Sequence, residues 1–108
     1  MMVVLLNKVK FTVNGNWSVH NSGSKELVHF ACEADRLKFD AIRILDHVVG
    51  VNTEKHPQLP PTPYTSQSRF PEVLTLMAYL SAVTEKIKLL SGVVALPQRQ
   101  TALLAKQA

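Results

Sequence analysis

Strand-like and helix-like runs alternate three times along this 108-residue chain, and that alternation excludes most folds open to a sequence of its length. Lys8-Val9-Lys10-Phe11-Thr12-Val13 has the polar–apolar alternation of a half-buried strand, and Asn14-Gly15-Asn16 supplies turn chemistry after it. Ser22-Gly23-Ser24 then leads into a helix, with Ser24 as the expected cap and Glu26 favourably placed near the amino end. Leu27, Phe30, Ala31, Ala34 and Leu37 recur at three- and four-residue steps and make one apolar stripe. Leu37-Lys38-Phe39-Asp40 closes that helix and hands over to a second strand opening at Ala41.

The second half repeats the alternation after an interruption. From Gly50 to Pro71 there is no regular period, and Pro57, Pro60, Pro61, Pro63 and Pro71 exclude both a helix and an inner strand. Pro71 suits the first position of a helix. Val73, Leu74, Leu76, Met77, Leu80 and Val83 carry its broad apolar face to about Thr84, with Met77 and Tyr79 read as packing positions. A third strand is expected from Lys86 to Leu96, interrupted by Gly92, whose place in a strand marks a bulge or a close backbone approach. Pro97 ends it, and Thr101 can cap a last helix over Ala102–Ala108.

The order β-α-β-α-β-α predicts an α/β fold with a parallel sheet and helices outside it. Parallel strands are normally covered on both faces, and three strands with their helices leave one face bare. A (β/α)8 barrel typically needs about 250 residues. Residues 1–108 are therefore expected to form one partial domain, the amino-terminal three units or so of a TIM barrel, truncated at Ala108.

Within this order one stretch holds the candidate chemistry. Ala41-Ile42-Arg43-Ile44-Leu45 is a buried-strand pattern that runs into Asp46-His47 and then into the proline-rich segment. Adjacent strand residues point to opposite faces, so Asp46 and His47 share a pocket only where the strand is ending. Ionisable groups at the carboxyl end of a core strand, followed by a long loop, are a common active-site arrangement. A strand-terminal Asp bonded to local amides, beside a surface His, is the plainer alternative. The loop up to Pro71 is read as covering the site, against a flexible linker as the other possibility.

Composition narrows the rest. The net charge of +4 is spread over scattered Lys and Arg with no basic run, so neither a nucleic-acid partner nor a membrane is expected. Met1 to Leu6 is apolar but too short for a membrane span and lacks the parts of a signal peptide. Cys32 is the single cysteine, which excludes an internal disulfide and fits a reducing, cytoplasmic setting. His47, His56 and Cys32 have no zinc-ligand spacing, so no metal is expected, and no serine stands in a strand-to-helix elbow. No dinucleotide glycine fingerprint follows the first strand.

Several pieces together resemble a known family. They are Phe39-Asp40-Ala41 entering strand two, Asp46-His47-Val48-Val49 leaving it, Tyr64 through Arg69-Phe70-Pro71, and Leu74 through Ile87. Gly92-Val93-Val94-Ala95-Leu96-Pro97 and Leu103 through Ala108 complete the set. In order and spacing the chain resembles the amino-terminal part of a luciferase-like monooxygenase domain, the bacterial luciferase superfamily. Among its members it is most similar to the oxidoreductases dependent on the deazaflavin coenzyme F-420. It departs from the pattern at Leu45, where relatives carry a small residue, and at Gln98-Arg99-Gln100-Thr101, where only Arg99 matches.

The resemblance implies a flavin or deazaflavin bound at the carboxyl ends of the strands. On it, Asp46 and His47 stand beside the cofactor ring, with His47 donating or accepting a proton and Asp46 orienting its surroundings or binding polar ring atoms. Gly92-Val93 matches a place where relatives carry a bulge with a non-proline cis peptide behind the ring, and Trp17 is a weaker candidate for a wall over the substrate. The implied function is hydride transfer between coenzyme F-420 and a small organic substrate, in a protein whose full-length form can be a homodimer. The alternatives are a flavin-mononucleotide (FMN) monooxygenase of the same superfamily, and a truncated chain without activity that serves as an interaction module through its exposed sheet edge.

Overall fold

Three parallel strands of four residues frame the protein, in a computed structural model that describes residues 10–15, 23–62 and 64–108. The strands are β1 (Thr12–Gly15), β2 (Ala41–Ile44) and β3 (Lys88–Ser91), in spatial order β1-β2-β3. Helix α1 (Ser24–Arg36) connects the first pair and α2 (Val73–Ser81) the second; a 3-10 turn over Leu96–Gln98 and helix α3 (Thr101–Gln107) follow. The parallel α/β order read from the sequence is therefore present, and it is consistent with part of a luciferase-like barrel. Among the described residues no helix is long and apolar enough to cross a membrane.

The register explains which side of the sheet is covered. Val13, Ile42 and Leu89 stand side by side in it, and so do Gly15, Ile44 and Ser91. Residues two apart share a face, and this face meets Leu27, Ala31 and Ala34 of α1 with Val73, Leu76 and Leu80 of α2. Ile42, Ile44, Val73 and Leu80 are fully buried there. Each contributes roughly 1.5–3 kcal/mol, enough to hold both helices on this one side. On the other face Ala41 is buried, whereas Thr12, Asn14, Arg43, Lys88 and Leu90 are exposed; among the described residues no helix covers that side.

Element boundaries depart from the sequence pattern where polar groups take backbone amides. The third strand, expected over 86–96, is only Lys88–Ser91. Ahead of it, the Asp35 carboxylate at the end of α1 accepts the amides of Glu85 (2.6 Å), Lys86 (3.3 Å) and Ile87 (3.0 Å). Those hydrogen bonds, the Glu85 amide foremost, outweigh burial and hold the Asp35 carboxyl below its usual range. Beyond it, the Ala95 amide goes to Asp46 and the chain turns into the 3-10 segment.

Other expectations move by a few residues. β1 runs through Asn14 and Gly15, read above as a turn, because their register partners are Arg43 and Ile44 of β2. Lys8 and Val9 lie outside the described residues. Gly23, with no side-chain cap, stands where Ser24 was expected. Leu37, placed on the apolar stripe, follows the helix and is 58% exposed. Met77 packs against the core, whereas Tyr79 is exposed. Val73, not Pro71, is the first residue of α2, with Glu72 as its cap, and Gln100, not Thr101, caps α3.

The turn from α1 into β2 carries the one strained residue among those described. Lys38 adopts φ 61°, the left-handed conformation that closes a helix through Lys38 N–H to Asp35 C=O (3.0 Å) and Phe39 N–H to Ala34 C=O (3.1 Å). Glycine reaches that conformation without the steric cost carried by other residues. Lys38→Gly is therefore expected to raise stability by about 1 kcal/mol, measured by urea denaturation.

Candidate functional site

Where β2 ends, three segments distant in sequence meet. Leu45, Asp46 and His47 leave the strand, and the long loop that follows is closed at its base. Val51 N–H donates to Tyr64 C=O (3.2 Å) and Val51 C=O accepts Ser66 N–H (2.8 Å). A side chain at Gly50 would collide with the Thr65 carbonyl, so glycine permits this close approach. Asn52 and Thr65 add local side-chain bonds to the Lys55 and Gln67 amides. The loop is pinned rather than a free linker, and its returning arm delivers Tyr64 and Phe70 to the end of β2.

Asp46 is the hub of the polar contacts. Its side chain is 3% exposed. Oδ2 accepts the Ala95 amide (2.9 Å) and Arg99 Nε (3.2 Å), and Oδ1 accepts Arg99 Nη2 (2.8 Å). This is the two-pronged geometry that suits guanidinium to carboxylate. Arg99 Nη1 continues to Glu72 Oε1 at 2.7 Å. Glu72 in turn caps α2, accepting the Leu74 amide (3.2 Å), the Thr75 amide (2.7 Å) and the Thr75 hydroxyl (2.7 Å). Arg99 is thus held between two carboxylates, and its bonds to Asp46 chiefly push its own pKa up.

His47 has aromatic rather than polar neighbours. Its ring centroid lies 4.7 Å from that of Phe70 and 5.2 Å from that of Tyr64, both tilted, and those two rings meet edge-on at 5.5 Å. Nε2 is buried with no hydrogen-bond partner among the described residues. A buried polar atom left unsatisfied is costly and calls for an explanation. Beside the ring is a cleft of about 180 Å³ lined by Asp46, His47, Val48, Phe70, Glu72, Gln98 and Arg99.

The other expected site residues stand apart from this cleft. Gly92 lies just past β3, donating its amide to Ile44 C=O; a side chain there would meet Leu45 Cδ2 at 2.8 Å. That is the close backbone approach expected, but outside the strand, and the Gly92–Val93 peptide is trans rather than cis. Val93 is 65% exposed. Trp17 lies outside the described residues. Sequence reasoning gave no role to Tyr64, Phe70, Glu72 or Arg99. Two signals pointed there: an acid directly before an apolar helical run, and the lone matching Arg after Leu96-Pro97.

Residues 8–108 match the family model described as luciferase-like monooxygenase. The chain belongs to that family. No curated protein and no solved structure is similar enough to match it. Luciferase-like proteins are enzymes of the oxidoreductase and monooxygenase kind. Among the described residues of this luciferase-like chain, no group of three or more His, Cys, Asp or Glu is placed to hold a metal ion.

Glu72 makes the network sensitive to acid. Burial works to raise its pKa, but the bonds from Thr75, Leu74 and Arg99 prevail and lower it from 4.5 to about 2. A carboxyl with a depressed folded-state value stabilises the fold above its unfolded value and loses that contribution as pH falls through the folded one. Glu72 is half exposed, so solvent screens part of the effect. Denaturation midpoints are expected to fall between about pH 4.5 and pH 2, and Glu72→Gln to flatten that fall.

Proposed function

We propose that this luciferase-like chain forms one wall of an oxidoreductase site that moves hydride between the deazaflavin coenzyme F-420 and an organic substrate. One observation carries the reading: His47 presents a buried, unpartnered imidazole nitrogen beside a cleft walled by Phe70 and Val48. A planar, largely apolar ring with a few polar edge atoms suits such a wall, since cofactor sites are mostly apolar with a few placed polar groups. The deazaflavin, when bound, supplies the hydride chemistry, and the protein supplies orientation and electrostatics.

His47 is the residue proposed to hold or move a proton at Nε2, a task that suits an imidazole. Hydrogen bonds of this kind are often incomplete before the ligand arrives. Of the two roles expected for Asp46, orientation has the better support, because both of its oxygens already accept bonds from Arg99 and Ala95. Gly92 and Val93 are proposed to back the ring from the β3 side, where the absence of a side chain at Gly92 keeps the backbone close to Leu45. Trp17 as a substrate wall remains part of the proposal on resemblance alone.

An FMN-dependent monooxygenase is the second reading, favoured by the description of the matched family. Titrating the chain with each oxidised cofactor and following its visible spectrum separates the two. The proposal expects F-420 to bind, and His47→Ala to weaken it roughly 2- to 12-fold, the loss of one hydrogen bond of about 0.5–1.5 kcal/mol. Tight binding of FMN with none of F-420 would overturn it.

A further inference from the structure

We propose that Arg99 is a positioning residue for His47, acting on both sides of the imidazole through the two carboxylates it holds. On one side, Asp46 directly precedes His47, and its carboxylate is gripped by Nε and Nη2 of Arg99 together with the Ala95 amide. That grip fixes the backbone from which the imidazole hangs. On the other side, Nη1 holds Glu72, two residues after Phe70, whose ring lies 4.7 Å from that of His47. That contact fixes the segment supplying the aromatic wall. A single guanidinium therefore sets both the imidazole and the surface it rests on.

The same contacts define what Arg99 does not do. Its side chain is only 15% exposed, and Nε, Nη1 and Nη2 all face carboxylates. Among the described residues that line the cleft, Arg99 is the one permanent cation, and two carboxylates already occupy it. Arg99 is accordingly not available to hold a phosphate or carboxylate group of a ligand. Lysine, a point charge without the planar fork, does not reproduce a three-point grip on two acids.

The inference rests on His47 as the site's working group, but it is testable without any cofactor. The chain, labelled with 15N at histidine, carries His20, His29, His47 and His56, and loss of one set of ring signals in His47→Gln assigns those of His47. Arg99→Gln is expected to displace or double the His47 ring signals while those of His29 and His56 stay in place; Arg99→Lys is expected to restore them only in part. Glu72→Gln keeps a side-chain oxygen for the Thr75 amide and covers the case in which Arg99→Gln does not fold. It is expected to move the same signals by less.

Unchanged His47 signals in the folded variants, or equal movement of all the histidines, would overturn the proposal by reducing Arg99 to a general structural role. Adding inorganic phosphate provides a second check: His47 signals are expected to be unaffected, and a saturable shift lost in Arg99→Gln would show an anion-binding Arg99 instead. Neither result depends on which chromophore binds, so failure of the F-420 reading would leave this test intact.

Discussion

The ion pair between Asp46 and Arg99 joins residues 53 apart in sequence, and the candidate site depends on it. An acid whose side chain is 3% exposed cannot stay charged cheaply without a partner. Arg99 supplies that partner, and by reaching on to Glu72 it links the end of β2, the start of α2 and the segment after β3. Val48, Val49, Val93 and Leu96 are all exposed, so polar geometry takes over where the packed layer of Ile42, Ile44, Val73 and Leu80 stops.

A second carboxylate does comparable work at the opposite end of the strands. Asp35 takes three successive amides and fixes the entry to β3, while Asp46 takes the Ala95 amide and fixes the exit. β3 is short because both of its flanks are bonded to side chains instead of to a neighbouring strand. Its outward residues, Lys88 and Leu90, join Thr12, Asn14 and Arg43 on the exposed face, where Ala41 alone of the β2 residues is buried, so among the described residues the packed core lies on the other side of the sheet.

The order of elements was legible because hydrophobic periodicity records it. Leu27, Ala31 and Ala34 on one helix, Val73, Leu76 and Leu80 on the next, and Ile42 with Ile44 between them are all buried as their spacing implies. The ends of elements were less legible. Val93 and Val94 read as strand residues, yet the local pattern carries no information about an acid 49 positions away that captures the Ala95 amide. Asp46 and His47 stood out by their place at a strand's carboxyl end, and the structure puts both beside one cleft. Arg99, Glu72, Tyr64 and Phe70 carried no assigned role, because what distinguishes them is whom they meet across the fold. The family match over residues 8–108 supports the same architecture.

His47 sits where these constraints converge, against Tyr64 and Phe70 from a loop pinned at Gly50 and Val51, and next to an acid whose oxygens are already occupied. The central claim is that Asp46 and Arg99 act as one unit. A double-mutant cycle with Asp46→Asn and Arg99→Met, read by urea denaturation, tests it most directly. The two substitutions together are expected to destabilise the chain clearly less than the sum of their separate effects, since either one alone strands its partner. Simple additivity would contradict the account.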